Sequence, residues 1–359
     1  MPLDAHARTL AEAAQPARHR PRAVVWWLLG VAGLVWIMVA IGGATRLTGS
    51  GLSIMEWAPL RGVLPPMSAA EWNRLYDLYR TIPQYELVNQ GFGLAGFKEI
   101  FWLEWIHRLW GRLIGLAYAA GLAWFWLRGQ IPPGWGRRLV LILGLGGLQG
   151  AVGWYMVASG FEVDRSAVSP YRLAIHLGLA LAIYAALLWT ALDLLRPVAD
   201  APPAARPVRR LVIAAAWCLV AAMLAGGFVA GIRAGFTWNT FPLMDGSLIP
   251  EGLYGLDPWW RSLTADTLTV QFNHRLLASL ATLAAAASVW LGWRRLPAGR
   301  QRRAVGFLGI TVALQYARGV ATLLSVVPVS LGTLHQAVAV LVLTGALLAI
   351  HALRRPARE

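Results

Sequence analysis

The sequence predicts an all-α polytopic membrane protein with eight transmembrane helices, built as two pseudo-symmetric four-helix bundles. Three observations predict it. Of the 359 residues 57% are hydrophobic and only 14% charged, a balance that suits lipid rather than water as the surrounding solvent. Apolar windows of roughly 20 residues, the length that crosses a bilayer, recur along the whole chain. The second half of the chain also repeats the first.

In chain order the predicted spans are Val24 to Ala44, Ile100 to Leu127, Leu139 to Ala158, Leu173 to Leu195, Leu211 to Gly231, Leu268 to Leu291, Ala304 to Leu324 and Leu331 to Ala352. They define a tail over 1–23, an N-terminal half over 24–195, a linker over 196–210, a C-terminal half over 211–352 and a tail over 353–359. The first 22 residues are rich in Ala and Arg and lack an apolar core before a small-residue cleavage site, so they read as a cytoplasmic tail.

The net charge of +15 raises the question of a nucleic-acid partner, but its distribution answers it. With the N-terminus inside, the inner segments hold 19 basic and 5 acidic residues, counting Asp193 at an inner helix end, and the outer loops 9 and 11. Clusters such as Arg137-Arg138, Arg209-Arg210 and Arg294-Arg295 follow the positive-inside rule. Basic charge therefore sets topology, with membrane lipid as the partner and no nucleic acid. The expected location is a bacterial inner membrane with both termini cytoplasmic. The single cysteine, Cys218, falls in the fifth span, which rules out an intrachain disulfide and a Cys-based metal site.

The repeat pairs Glu104-Trp105-Ile106-His107-Arg108 in the second span with Gln271-Phe272-Asn273-His274-Arg275 in the sixth. Gln149 and Gly153 in the third span match Gln315 and Gly319 in the seventh. His176 opens the fourth span as His335 opens the eighth, and Gly42-Gly43 matches Gly226-Gly227. Four helices per half is an even number, so both halves share one orientation in the membrane. His107, His176, His274 and His335 then lie about 5 to 10 Å inside the outer boundary, all in one leaflet. A lone intramembrane histidine reads as a polar residue bonded to a neighbouring helix, but imidazoles at repeated positions on facing helices read as axial ligands of haem iron. Gly111 and Ala278, one turn below two of the ligands, leave room for a flat macrocycle or for close helix packing. Arg108 and Arg275 are candidate contacts for haem propionates, or reach lipid headgroups and loop carboxylates.

The halves differ at one position. Glu104 stands one turn before His107, on the same helix face, where the second half has Gln271. Exchanging a carboxylate for its neutral isostere suits one haem being transformed while the other carries electrons. A structural alternative is an Arg-paired packing residue.

These residues resemble the haem A synthase family, in the branch found in mitochondria and related bacteria. The resemblance covers nearly the whole chain and rests on Thr45-Arg46-Leu47-Thr48, Ser50-Gly51-Leu52-Ser53, Leu64-Pro65-Pro66, the Glu104 to Arg108 motif, Ser169-Pro170-Tyr171-Arg172, Pro242-Leu243-Met244-Asp245-Gly246 and the Gln271 to Arg275 motif. Another branch carries cysteine pairs in its outer loops; this sequence lacks them. The resemblance implies an oxidoreductase that converts the C8 methyl of haem O to a formyl group, giving haem A for terminal oxidases by way of a hydroxymethyl haem and a hydrated aldehyde. It further implies that His107 and His176 hold haem O, that Glu104 serves the oxidation, and that His274 and His335 ligate the iron of a permanent haem b. A haem O synthase and an electron acceptor are the expected partners, and self-association is left open.

Two rival readings remain. A di-haem b-type electron carrier usually stacks its haems near opposite faces, whereas these four histidines share one side. A transporter places broken helices near the midplane, where this sequence offers only Gln149 and Arg318, both in outer halves of their spans. The long outer segment from Thr45 to Lys98, with Trp57, Trp72, Tyr76, Tyr79 and Tyr85, reads as a lid in the headgroup region or as a gate for a farnesylated haem.

Overall fold

In hydrocarbon each backbone N–H and C=O must find its partner within the segment, so every apolar window becomes a helix. The computed structural model describes residues 21–58, 61–163, 165–195 and 202–354. Its long helices are α1 (Arg22–Leu47), α2 (Leu94–Leu127), α3 (Gly136–Ala158), α4 (Pro170–Leu195), α5 (Ala205–Gly231), α6 (Thr267–Arg295), α7 (Arg300–Leu324) and α8 (Val329–Ala352). The tail to residue 20 with His6 and His19, the Pro59-Leu60 pair, residue 164, residues 196–201 of the predicted linker and the last five residues lie outside the described residues.

Most of these helices outrun their apolar windows, because a window reports hydrocarbon thickness while helical hydrogen bonding continues into the interface. Pro170, pre-set for the first helical position, starts α4 three residues before the predicted Leu173. Asp266 caps α6 by accepting from the Thr269 amide at 2.9 Å.

Seven of the eight, all but α2, are long and apolar enough to cross a membrane. The chain is thus a multi-pass membrane protein. Helix α2 is the exception because its first nineteen residues carry Lys98, Glu99, Glu104, Arg108 and Arg112. At about 1.5 Å per residue its 34 residues reach about 51 Å, well beyond a hydrocarbon core of about 30 Å.

Within the first half α1 packs on α2 and α4, and α3 packs on α2 and α4, which closes a ring. The second half repeats that ring, with α5 and α7 each packed on α6 and α8. The rings meet where α1 and α4 touch α8 and where α4 touches α5. The seam is apolar through Val340 and Leu343 of α8, which join the cluster around Leu28, Val31 and Leu187. Polar rivets cross it. Trp36 donates its indole N–H to Ala337 O at 2.8 Å, and the Tyr184 and Thr344 hydroxyls lie 2.7 Å apart. Arg46 donates from Nη2 to Ala230 O and Gly231 O, both at 2.9 Å, satisfying carbonyls that the end of α5 leaves without helical partners. At the opposite end of the bundle Asp193 of α4 accepts from Arg138 and from Arg354, and pairs with buried His351 of α8 at 3.1 Å.

The long segment between α1 and α2 is a folded cap. Short helices Ala69–Tyr79 and Pro83–Leu87 lay Tyr79 and Ile82 against Leu52, Phe97 and Phe101, forming a buried cluster over the start of α2. Trp72 stacks edge-on against Phe101, with ring centres 4.8 Å apart. Gln84 ties the cap back to the chain by donating to Gly49 O at 2.8 Å.

Candidate functional site

Helices α2, α4, α6 and α8 bring the four histidines to one end of the bundle, in two pairs. The rings of His274 and His335 face each other with centres 6.5 Å apart and planes 81° from parallel. A metal bonded at about 2.0 Å to a nitrogen of each ring, with that nitrogen about 1.2 Å from its ring centre, sets the centres about 6.4 Å apart. The spacing therefore suits one metal atom between the rings. Two imidazoles leave a bare ion short of ligands, whereas haem iron brings four porphyrin nitrogens and needs two more. His107 and His176 lie within electrostatic reach of each other in the first half.

Each imidazole is cradled by a glycine of a neighbouring helix, and these are the repeat's glycines. A Cβ at Gly226 would meet His274 Cε1 at 3.1 Å, and one at Gly319 would meet His335 Cε1 at 3.0 Å. In the first half Gly153 backs His176 Cε1 at 2.9 Å, and Gly42 backs His107 Nε2 at 3.3 Å. The room for each ring thus comes from across the helix interface. Of the two roles the sequence offers for Gly111, macrocycle room and close helix packing, its surroundings match packing, since a Cβ there would meet the Met38 methyl at 3.4 Å.

Second contacts fix the rings. His274 Nδ1 lies 2.8 Å from Ala222 O, which makes Nδ1 the protonated nitrogen and leaves Nε2 with a lone pair for a metal. His107 presents Nε2 and Cδ2 to its glycine, where His274 presents Cε1 and Nδ1. Gln149 and Gln315, visible as a repeat but without a role in the sequence, donate their amides to the backbone carbonyls of His176 and His335 at 3.1 and 3.0 Å. These bonds pin the first turns of α4 and α8 to the preceding helices. Gln149 Oε1, Gln315 Oε1 and His176 Nδ1 are buried without partners among the described residues, so both sites keep polar atoms open to a bound group.

Glu104 is 2% exposed and fully engaged. Its Oε2 accepts from Ser53 Oγ at 2.7 Å and from the Ile54 amide at 2.8 Å. Its Oε1 accepts from Arg108 Nε at 2.9 Å and Nη2 at 2.5 Å. Arg108 in turn donates to Glu56 O at 3.0 Å and to Ile54 O. The pair is a latch that holds the 53–56 segment on α2. In the second half Arg275 donates to Gln271 Oε1 at 2.8 Å, to Thr240 O at 2.8 Å and to Trp238 O, while Gln271 Nε2 donates to Ala234 O and Thr237 O at 2.8 and 2.6 Å.

The Glu/Gln difference thus has a local cause. The 53–54 backbone and hydroxyl offer donors, which an acceptor-only carboxylate satisfies; the 234–237 turn offers carbonyls, which need an amide. Any propionate at Arg108 or Arg275 shares a guanidinium that already donates to loop carbonyls. Ser53 and Ile54 lie some 50 residues from Glu104, and nothing local in sequence ties them to it.

The architecture defines a multi-pass helical membrane protein whose two repeated halves each bring two histidines together at one end. A family model described as cytochrome oxidase assembly protein, COX15-CtaA, matches residues 25–347. The chain is 54% identical to a protein of Granulibacter bethesdensis named heme A synthase, over 96% of this chain and 91% of that one. Proteins of the same name from Rhodospirillum centenum and Nitrosospira multiformis are 47% and 48% identical, over 97% and 92% of this chain and 93% of each relative. The chain belongs to the haem A synthase family.

Proposed function

We propose that this chain is an oxidoreductase that makes haem A by oxidising the C8 methyl group of haem O to a formyl group. In this reading His107 and His176 hold haem O, and His274 with His335 hold a resident haem b. The observation that carries it is the repeat with one exception: both halves pair imidazoles cradled by glycines, and only the first sets a buried carboxylate one turn from a ligand. A bound haem b supplies one-electron redox chemistry. The chain's own residues do the rest.

Gly42 and Gly153 let His107 and His176 approach, and Gln149 steadies the helix turn that carries His176. Glu104 sets a carboxyl group beside the reacting porphyrin, where it can stabilise a developing cation or take a proton in a site shielded from bulk water. As seated it accepts four hydrogen bonds, so taking a proton requires one of them to open. The membrane is the bacterial inner membrane, with both termini cytoplasmic and the histidine end outward. A haem O synthase supplies the substrate and an acceptor removes the electrons.

The test is expression with a haem O source, followed by extraction of the pigments. Haem A with the wild type and its loss with His107→Ala support the proposal. Haem B alone in the wild type, with both sites filled, favours a b-type electron carrier.

A further inference from the structure

Around α2 the side chains fall into distinct sectors at about 100° per residue. Trp102, Ile106 and Leu113 form the outward face and are the exposed apolar residues expected against lipid. His107 and Glu104 face the bundle. Between these sectors, on the shoulder marked by Phe101, Trp105 and Arg112, a cavity of about 550 Å³ opens beneath residues 54–58 and 61–75 of the cap. It lies beside the Glu104–Arg108 latch, since Ile54, Glu56 and Arg108 form its inner wall.

The cavity's chemistry is that of a site for an acid-bearing amphiphile. Leu64 and Met67, 73% and 82% exposed, make an apolar lip. Trp105 lines the cavity, and its buried indole N–H has no acceptor among the described residues. Arg61, on the short turn Arg61–Val63, contributes a cation with no partner among the described residues, whereas Arg74 is neutralised by Glu56 and Glu71. Gly62 lets the cap lie close over Arg112, since a Cβ there would sit 3.1 Å from Arg112 Nη2.

We propose that this cavity is a lateral vestibule that holds the carboxylate edge of the porphyrin substrate, taken from the outward leaflet, before it passes the latch to His107 and His176. The carboxylates accept from Trp105 and Arg61, and the ring and tail rest on Leu64, Met67 and Phe101. This rests on the proposed function for the identity of the substrate.

The test uses the full chain with its resident haem in nanodiscs, titrated with iron protoporphyrin IX as the free acid and as the dimethyl ester. Trp105→Phe removes the N–H donor while keeping a smaller aromatic ring, and Arg61→Gln alters an exposed turn. Each variant is expected to bind the free acid about tenfold more weakly, the value of one charge-assisted hydrogen bond. The ester should bind wild type and variants alike. An unchanged absorption spectrum of the His274/His335 haem certifies the fold. Wild-type affinity in both variants, or an ester that binds as tightly as the acid, overturns the proposal. So does phosphatidylglycerol in the disc displacing the acid from wild type but not from Arg61→Gln, which would make the site a lipid headgroup site. Haem A formation is scored separately: its absence with vestibule binding intact sinks the oxidation and leaves the vestibule standing.

Discussion

Replacing Glu104 by Gln separates what the latch does from what the carboxylate does in chemistry. If the new amide keeps its oxygen toward Arg108, as Gln271 does toward Arg275, its NH2 faces Ser53 and Ile54. The Ser53 hydroxyl can rotate and accept. The Ile54 N–H cannot, and a buried donor without an acceptor costs about 1–3 kcal/mol. Exchanging a charged for a neutral acceptor at Arg108, whose side chain is 18% exposed, costs about 1 kcal/mol more. Together about 2–4 kcal/mol corresponds to a shift of roughly 30- to 700-fold in the opening equilibrium of the 53–56 segment. Hydrogen exchange read by mass spectrometry on a peptide spanning Ser53 to Glu56 reports it directly. The expected result is that much faster exchange at Ile54, with the Thr237 to Thr240 segment unchanged. Wild-type exchange at Ile54 would refute the latch, and if haem A formation were lost all the same, Glu104 would act on the substrate alone.

Other consequences follow from the same contacts. Gly319→Ala places a methyl 3.0 Å from His335 Cε1, overpacking worth about 1–3 kcal/mol, and should lower haem retained per protein as measured by pyridine haemochrome. Gly111→Ala, whose Cβ meets only the flexible Met38 methyl at 3.4 Å, should not. Arg46→Ala strips two charge-assisted bonds from the end of α5 and should destabilise the seam by about 2–3 kcal/mol, read as a lower unfolding temperature in detergent. In the cap, hydrogen bonds from Arg74 hold the Glu56 and Glu71 carboxyls below their ordinary 4.5. Groups depressed in the folded state stabilise it above their unfolded value and lose that contribution as pH falls through the folded one. Cap tryptophan fluorescence should therefore stay constant from pH 8 to about 5.5 and change only below about 4.5; a change near pH 6.5 would point to a histidine instead.

Much of the fold is written in local pattern. Long apolar windows must become helices in lipid, and repeated Gln, Gly and His positions mark the repeat without any contact being known. Pairing is another matter. The glycines of the repeat are legible as glycines, but that Gly42 backs His107 and Gly319 backs His335 depends on which helices meet, which local pattern does not give. The latch was half legible: Glu104 and Arg108 are one helical turn apart, while Ser53 and Ile54 come from the preceding segment. The cap was read as a lid, yet its helices follow from a Ser68 cap and a helical run after it, signals that long-window hydropathy averages away. The Asp193, His351, Arg138 and Arg354 cluster joins three helices and had no signature in sequence beyond basic charge at helix ends.

Counting and identifying haem ligation in paired variants is the most direct measurement of the central claim. Electron paramagnetic resonance of the purified chain loaded with haem O should show two low-spin, bis-imidazole ferric haems. His274→Ala with His335→Ala should remove one, and His107→Ala with His176→Ala the other, with haem A formation lost in the second pair. A spectrum in which either double variant keeps both signals would contradict the account.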